Sequence, residues 1–339
     1  MKRYSLPDLL KGFAGLFLIQ VHIMTLFIEL SGRESLTGKI SFFLGGPFAA
    51  ILFMIIMGYF VAKSGNPFWK IVLRGVKIFI IGLLLNIALN FNLLLKIKYS
   101  EWNLNPLEYI FGVDIFFLAG LSLMFMAFLK MIRKGQEWVA IILVFLIIGL
   151  TGFMNEVLMS TDSNYIFPFI AGKYSWSYFP LFPWLAYPLI GFVFYYFEEK
   201  IMTFHTNQKI ASGIIVAGIA VLVIYFFKFG VSIKINLLQY YHHTFWFLLW
   251  AIGVVILWAT LLRFLLSKFP NTYIGDFLKW LGKNITFFYV IQWLIIGNIS
   301  TIIYQTQSIG SFWYWFSGIF GITVLLTWLI GKTNVKIAA

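Results

Sequence analysis

Apolar residues occupy this chain in runs of about twenty, each closed by a short polar or basic stretch, and ten such runs can be read along it. They cover residues 6–29, 40–64, 68–94, 108–131, 137–156, 178–198, 209–229, 241–266, 275–299 and 311–331. A bilayer core about 30 Å thick is crossed by about 20 helical residues. The pattern therefore predicts an all-α polytopic membrane helix bundle of about ten transmembrane helices, forming one domain over residues 1–339. No internal repeat and no segment with strand-like alternation interrupts it.

Composition agrees with this reading: 61% of the residues are apolar and only 11% charged, against about 25% charged in soluble domains. The formal charge of +13 lies in short loops and forms no basic domain of the kind that binds nucleic acid. With the N-terminus placed in the cytoplasm, the inside segments hold Lys2/Arg3, Lys63/Lys70, Lys130/Arg133/Lys134, Lys200/Lys209, Arg263/Lys268 and Lys332/Lys336. The outside segments hold Arg33/Lys39, Lys96/Lys98, Lys173 and Lys228/Lys234, and the last outside segment, NISTIIYQTQSIGS, holds none. This bias predicts both termini in the cytoplasm. The first apolar run resembles a signal peptide in following Lys2 and Arg3. It is long, begins with Asp8 and Lys11 and lacks a small-residue cleavage site, so it is expected to stay as the first span.

The chain has no cysteine and four histidines, which rules out thiolate nucleophiles and disulfides and gives no metal-ligand pattern. HExxH, GxSxG and a phosphate-cradling glycine loop after a strand are all missing. Candidate chemistry therefore falls to ionisable groups within the apolar runs. Each costs at least about 2.5–3.5 kcal/mol to insert at bilayer depth, so such groups face a protein interior or a wet cavity.

The first run carries three. Lys11 and His22 are eleven residues apart, about three helical turns, and Asp8 falls within about 60° of both, so the three share a face. Gly15 lies on that face and admits a close neighbour. His22 sits about 16 Å beyond Lys11 toward the outer side. Two readings are open: an Asp8–Lys11 ion pair with a packed His22, or a functional face. Asp114, placed by the topology in the outer half of the fourth run, favours the second, because a carboxylate there is suited to orient the imidazole. Lys70, Arg74 and Lys77 form a basic stripe at i, i+4 and i+7, and Lys279 and Lys283 repeat the i, i+4 spacing beside Asn284. Snorkelling explains such residues individually; two stripes on the cytoplasmic side also suit a polyanionic nucleotide. On the outer side, QYYHHTFWF brings His242 and His243, and YSWSYFPLFPWLAYP brings Tyr178 and Trp184. These suit either an interfacial aromatic belt or a sugar-binding ledge, with Glu156 available to an amine. The longest outside loop, about 157–177, is polar and aromatic, as a lid or an acceptor-binding surface would be.

Asp8-Leu-Leu-Lys11-Gly12 followed by His22 resembles the D-x-x-R-G opening and downstream His of the membrane acyltransferase-3 superfamily. GGPFAAILFMIIMGYFVAKS, FGVDIFFLAGLSL, YFPLFPWLAYPLIGFVF and LGKNITFFYVIQ further resemble segments of one branch, the family of the heparan-α-glucosaminide N-acetyltransferase catalytic domain, over most of residues 3–295. Lys11 stands where the pattern has Arg, Gln292 where many relatives have His, and no His lies near Arg33. The resemblance implies transfer of an acetyl group from cytoplasmic acetyl-CoA to an amine or hydroxyl of an extracytoplasmic saccharide, glucosamine-type amines favoured, without a metal. His22 and Asp114 are then the catalytic pair. Lys11, Lys70, Arg74, Lys77, Lys279, Lys283 and Asn284 hold the donor, and His242, His243, Trp184, Tyr178 and Glu156 hold the acceptor. Membrane lipid surrounds the chain, a bacterial inner membrane is the expected location, and a homodimer is plausible from the family. The rival is a transporter with Asp8, Lys11, His22 and Asp114 lining a proton or solute path.

Overall fold

In the computed structural model, which describes residues 5–158, 164–270 and 272–333, the chain is helical throughout, with no strand among the described residues beyond two isolated bridges. Lys2, Arg3 and Lys336, and residues 159–163 of the long loop, lie outside the described residues. The helices that matter below are α1 (Ser5–Leu26), α2 (Leu36–Lys63), α3 (Phe68–Leu89), α4 (Ile115–Leu129), α5 (Gln136–Val157), α6 (Ala186–Asn207), α7 (Lys209–Tyr225), α8 (Phe245–Lys268), α9 (Tyr273–Lys283), α10 (Ile285–Ile303) and α11 (Phe312–Gly331). The protein is an integral membrane helix bundle. Among the described residues seven helices are long and apolar enough to cross a bilayer, and eight if one bent pair counts as a single span.

Every predicted apolar run contains a helix, and the differences from ten uninterrupted spans have local causes. The fourth run is broken at Gly112–Asp114, leaving α4 with 15 residues, fewer than the roughly 20 that span a bilayer at right angles. The sixth and seventh runs become a helix pair bent by 110° at the polar stretch Thr206-Asn207-Gln208. The ninth run is two helices, because Asn284 leaves α-helical geometry (φ −105°, ψ 17°) between α9 and α10. Within α2, Gly46–Ile51 winds as a π-helix with Pro47 in its first turn, a residue unable to donate to the preceding turn.

By contacts the chain divides into two compact units. The first is drawn from Met1–Leu52, Leu84–Ile110 and Trp258–Ala339, the second from Phe53–Leu83 and Phe111–Leu257. In the first unit α1 is central and packs on α2, α9, α10 and α11. Its crossing with α9 is a backbone-to-backbone contact. A Cβ on Gly12 would lie 2.0 Å from the Leu278 carbonyl oxygen, and one on Gly282 would lie 1.8 Å from that of Asp8. Gln20, a polar residue in mid-span, donates to the Ser41 carbonyl of α2 at 2.9 Å and so meets no lipid with an unpaired amide. The C-terminal end of α1 is tied down by the segment after α10: Gln305 N–H donates to the Leu26 carbonyl and Gln307 N–H to that of Phe27, both at 2.9 Å.

In the second unit α5 packs along α6, and α4 meets the turn Leu181–Trp184 that leads into α6. Glycines again mark the tightest crossings: Gly58 lies under the Pro188 carbonyl and Gly191 under that of Ile55. Val113 N–H donates to the Trp176 carbonyl at 2.8 Å, and Phe179 N–H donates back to Val113 at 2.9 Å. These bonds fasten the start of α4 to the 172–180 segment.

Candidate active site

The ionisable face of α1 is resolved into two parts. Lys11 Nζ lies 3.0 Å from Asp8 Oδ1, and Asp8 is buried at 5% exposure, beneath α9 where Gly282 meets its carbonyl. The first turns of α1 thus carry the ion pair that the i, i+3 spacing allows. Gly15, on the same face, has Ile285 and Phe288 of α10 against it.

His22 is held from α10. Its Nδ1 lies 3.0 Å from Gln292 Oε1, and the ring rests on Trp293 with centroids 4.1 Å apart and planes inclined by 31°. Gln292 is fully buried, and its Nε2 donates to the Tyr289 carbonyl at 3.2 Å. The sequence marks Gln292 only as a departure from a family His; its role beside His22 comes from the packing of α10 on α1.

The expected donor contacts fall in different settings. Lys279 is engaged at 3.0 Å by Asp276 and at 3.2 Å by the Pro270 carbonyl. Asn284 donates to the Trp280 carbonyl at 2.9 Å and closes α9, leaving Lys283 exposed beside it. In the second unit, Lys70 and Lys77 project from exposed positions of α3. Arg74 between them is half-buried, and its Nε has no hydrogen-bond partner among the described residues.

The aromatic and imidazole residues of the second unit form a packed cluster rather than an open ledge. Trp184 is wholly enclosed, with Nε1 donating to the Tyr241 carbonyl at 2.8 Å. His243 Nδ1 donates to the Tyr240 carbonyl at 2.8 Å, so its Nε2 accepts from the Tyr187 hydroxyl at 2.7 Å. Trp184 and His243 therefore spend their polar atoms inside the protein. His242 is also buried. The Ser177 backbone is close enough to bear on its charge, but neither ring nitrogen makes a well-formed hydrogen bond among the described residues. Lys234 is buried at 4% exposure with its ammonium 3.6 Å over the Tyr240 ring, and burial pulls its pKa down to about 7. Tyr178 remains exposed against Tyr241, and Glu156 is exposed near the end of α5. Asp114 takes the N-cap position of α4 without a side-chain capping bond. Its charge is among the influences, after burial and two neighbouring tyrosines, that raise the Tyr241 pKa.

Burial pushes the His243 imidazole down to about 3 and, with help from the Lys173 charge, that of His242 to about 4. Both stay neutral in the fold where an unfolded imidazole, with an ordinary pKa of about 6.5, takes up a proton. The unfolded chain then binds more protons, so stability falls as pH drops from about 6.5 toward the folded values. The unfolding midpoint of the purified protein is expected to fall between pH 7 and pH 4.5. In His243→Gln, which has no imidazole to protonate, that fall should be shallower. Equal slopes would refute the assignment.

A family model described as an acyltransferase domain, acyltransferase-3, matches residues 5–332. No curated protein and no solved structure matches the chain. The match takes in both units, the His22–Gln292 pair on α1 and α10, and the cluster around Trp184. The chain belongs to the acyltransferase-3 family of membrane acyltransferases.

Proposed function

We propose that this membrane acyltransferase takes an acetyl group from cytoplasmic acetyl-CoA and gives it to an amine or hydroxyl of an extracytoplasmic saccharide, with a glucosamine-type amine as the favoured acceptor. A bacterial inner membrane is the proposed location. The observation that carries the reading is a histidine inside a membrane helix, held through one ring nitrogen by a buried glutamine and backed by Trp293, in a chain of acyltransferase family. An imidazole fixed in this way is suited to remove a proton from a nucleophile.

In the proposed step His22 takes the proton from the acceptor nitrogen or oxygen as that atom bonds to the thioester carbonyl carbon. The carbon–sulfur bond then breaks, CoA leaves as the thiolate, and the proton passes from the imidazolium to the sulfur. Phosphate recognition is proposed by charge alone for Lys283 at the end of α9 and, separately, for Lys70, Arg74 and Lys77 on α3. Lys279 is a weaker candidate because Asp276 already neutralises it. For the acceptor, exposed Tyr178 and Glu156 are better placed to meet a solute than enclosed Trp184 and His243.

The test is a screen of the purified protein in lipid nanodiscs with radiolabelled acetyl-CoA and longer acyl-CoA donors. Glucosamine-terminated oligosaccharides would be compared with hydroxyl-only polysaccharides. Preferred consumption of acetyl-CoA with label on an amino sugar supports the full reading. Label on hydroxyls alone would remove the amine preference, and transfer only from longer acyl donors would overturn acetyl-CoA.

A further inference from the structure

We propose that Gln292 is a positioning residue that fixes the tautomer of His22, placing the proton on Nδ1 so that Nε2 carries the lone pair that accepts the acceptor's proton. The inference rests on the reading of His22 as the general base.

The oxygen and nitrogen of the Gln292 amide are told apart by their partners. One end of this amide lies 3.2 Å from the Tyr289 backbone carbonyl, which only accepts hydrogen bonds, so that end is the NH₂ group. The end 3.0 Å from His22 Nδ1 is then the oxygen, which also only accepts. A neutral imidazole meets a carbonyl oxygen at that distance favourably only by donating, so Nδ1 bears the hydrogen. The reversed amide would set two oxygens against each other and its NH₂ toward His22. Gln292 is wholly buried, where a mispaired polar group costs about 1–3 kcal/mol, so the environment enforces one orientation. Trp293, the next residue, lies along the ring face and restricts its rotation.

The choice of Gln over a carboxylate has a chemical consequence. A carboxylate at Nδ1 stabilises the protonated ring and raises its pKa, whereas an amide oxygen fixes the tautomer with a smaller effect on basicity. The other titratable groups on α1 and on the helices packed against it are Asp8 and Lys11 on α1, Lys39, Tyr59 and Lys63 on α2, Tyr273, Asp276, Lys279 and Lys283 on α9, Tyr289 on α10 and Tyr314 on α11. Of these Asp8 and Lys11 neutralise each other about 16 Å or more along the helix.

The experiment compares wild type, Gln292→Glu, Gln292→Leu and His22→Ala as full-length protein in nanodiscs, over a range of pH. Gln292→Glu should retain turnover at high pH, with the acidic limb of kcat/KM moved upward by about one pH unit or more. Gln292→Leu should lower kcat by about 10- to 100-fold through loss of the productive tautomer. A profile in Gln292→Glu that coincides with wild type overturns the lock, as does full activity in Gln292→Leu. Activity retained in His22→Ala overturns the reading beneath it and the lock together. Solid-state ¹⁵N NMR of histidine-labelled wild type, with the His22 signals assigned by their loss in His22→Ala, requires no active variant. A protonated Nδ1 and an unprotonated Nε2 are expected, and the reverse pattern refutes the proposal.

Discussion

His22→Ala should abolish measurable acyl transfer, with a fall of about 100- to 10,000-fold, the range that a positioned general base contributes. The same change leaves Gln292 Oε1 buried without its donor, a penalty of about 1–3 kcal/mol, so a loss of activity has to be separated from a loss of fold. His22→Asn serves for this. It keeps an N–H donor near Gln292 but has no basic nitrogen, so it should hold its unfolding midpoint close to wild type while remaining as inactive as the alanine variant. Donor binding, followed by retention on immobilised CoA, should survive both changes. Asp114→Asn is the parallel test in the second unit, where it removes the charge that bears on Tyr241.

The largest structural effect is expected at the crossing of α1 and α9. Gly12→Val or Gly282→Val would place a carbon about 2 Å from a main-chain carbonyl oxygen of the facing helix, well inside van der Waals contact. The obstructing atoms are backbone, so no rotamer change relieves the clash and the helices must part. Small residues are what permit such close approach in a membrane, where tight packing rather than water exclusion drives association. Loss of about 4 kcal/mol or more is expected, read as a failure to yield monodisperse protein in detergent. Gly318→Val on α11 is the control, since nothing lies within 4 Å of the added carbon, and it should behave as wild type. If the Gly12 and Gly318 variants were equally stable, the close crossing would be wrong.

How much of this was legible depended on whether the feature was local. The helical bundle follows from apolar run lengths, and the Asp8–Lys11 pair from i, i+3 spacing. The breaks at Asn284 and at Thr206-Asn207-Gln208 had visible polar markers, yet a hydropathy pattern does not say whether a polar residue bends a helix or is carried within it. Gln20 shows the other outcome, satisfied by the Ser41 carbonyl within an unbroken span. Gln292 stands 270 residues from His22, and no periodicity links positions on different helices. The cluster of Trp184, Tyr187, Tyr240 and His243 was ambiguous for a related reason. An interfacial belt, a sugar ledge and a sealed core use the same residue types, and only their hydrogen bonds to Tyr241 and Tyr240 carbonyls distinguish the last.

Transfer across the membrane through His22 can be followed in sealed proteoliposomes that hold labelled acetyl-CoA inside and present an amino-sugar oligosaccharide only outside. Wild-type protein should yield labelled acceptor in the external medium and free CoA in the lumen, and His22→Asn should yield neither. External product undiminished in the His22→Asn vesicles, or lumenal acetyl-CoA consumed with no label ever reaching the outer acceptor, would contradict the account.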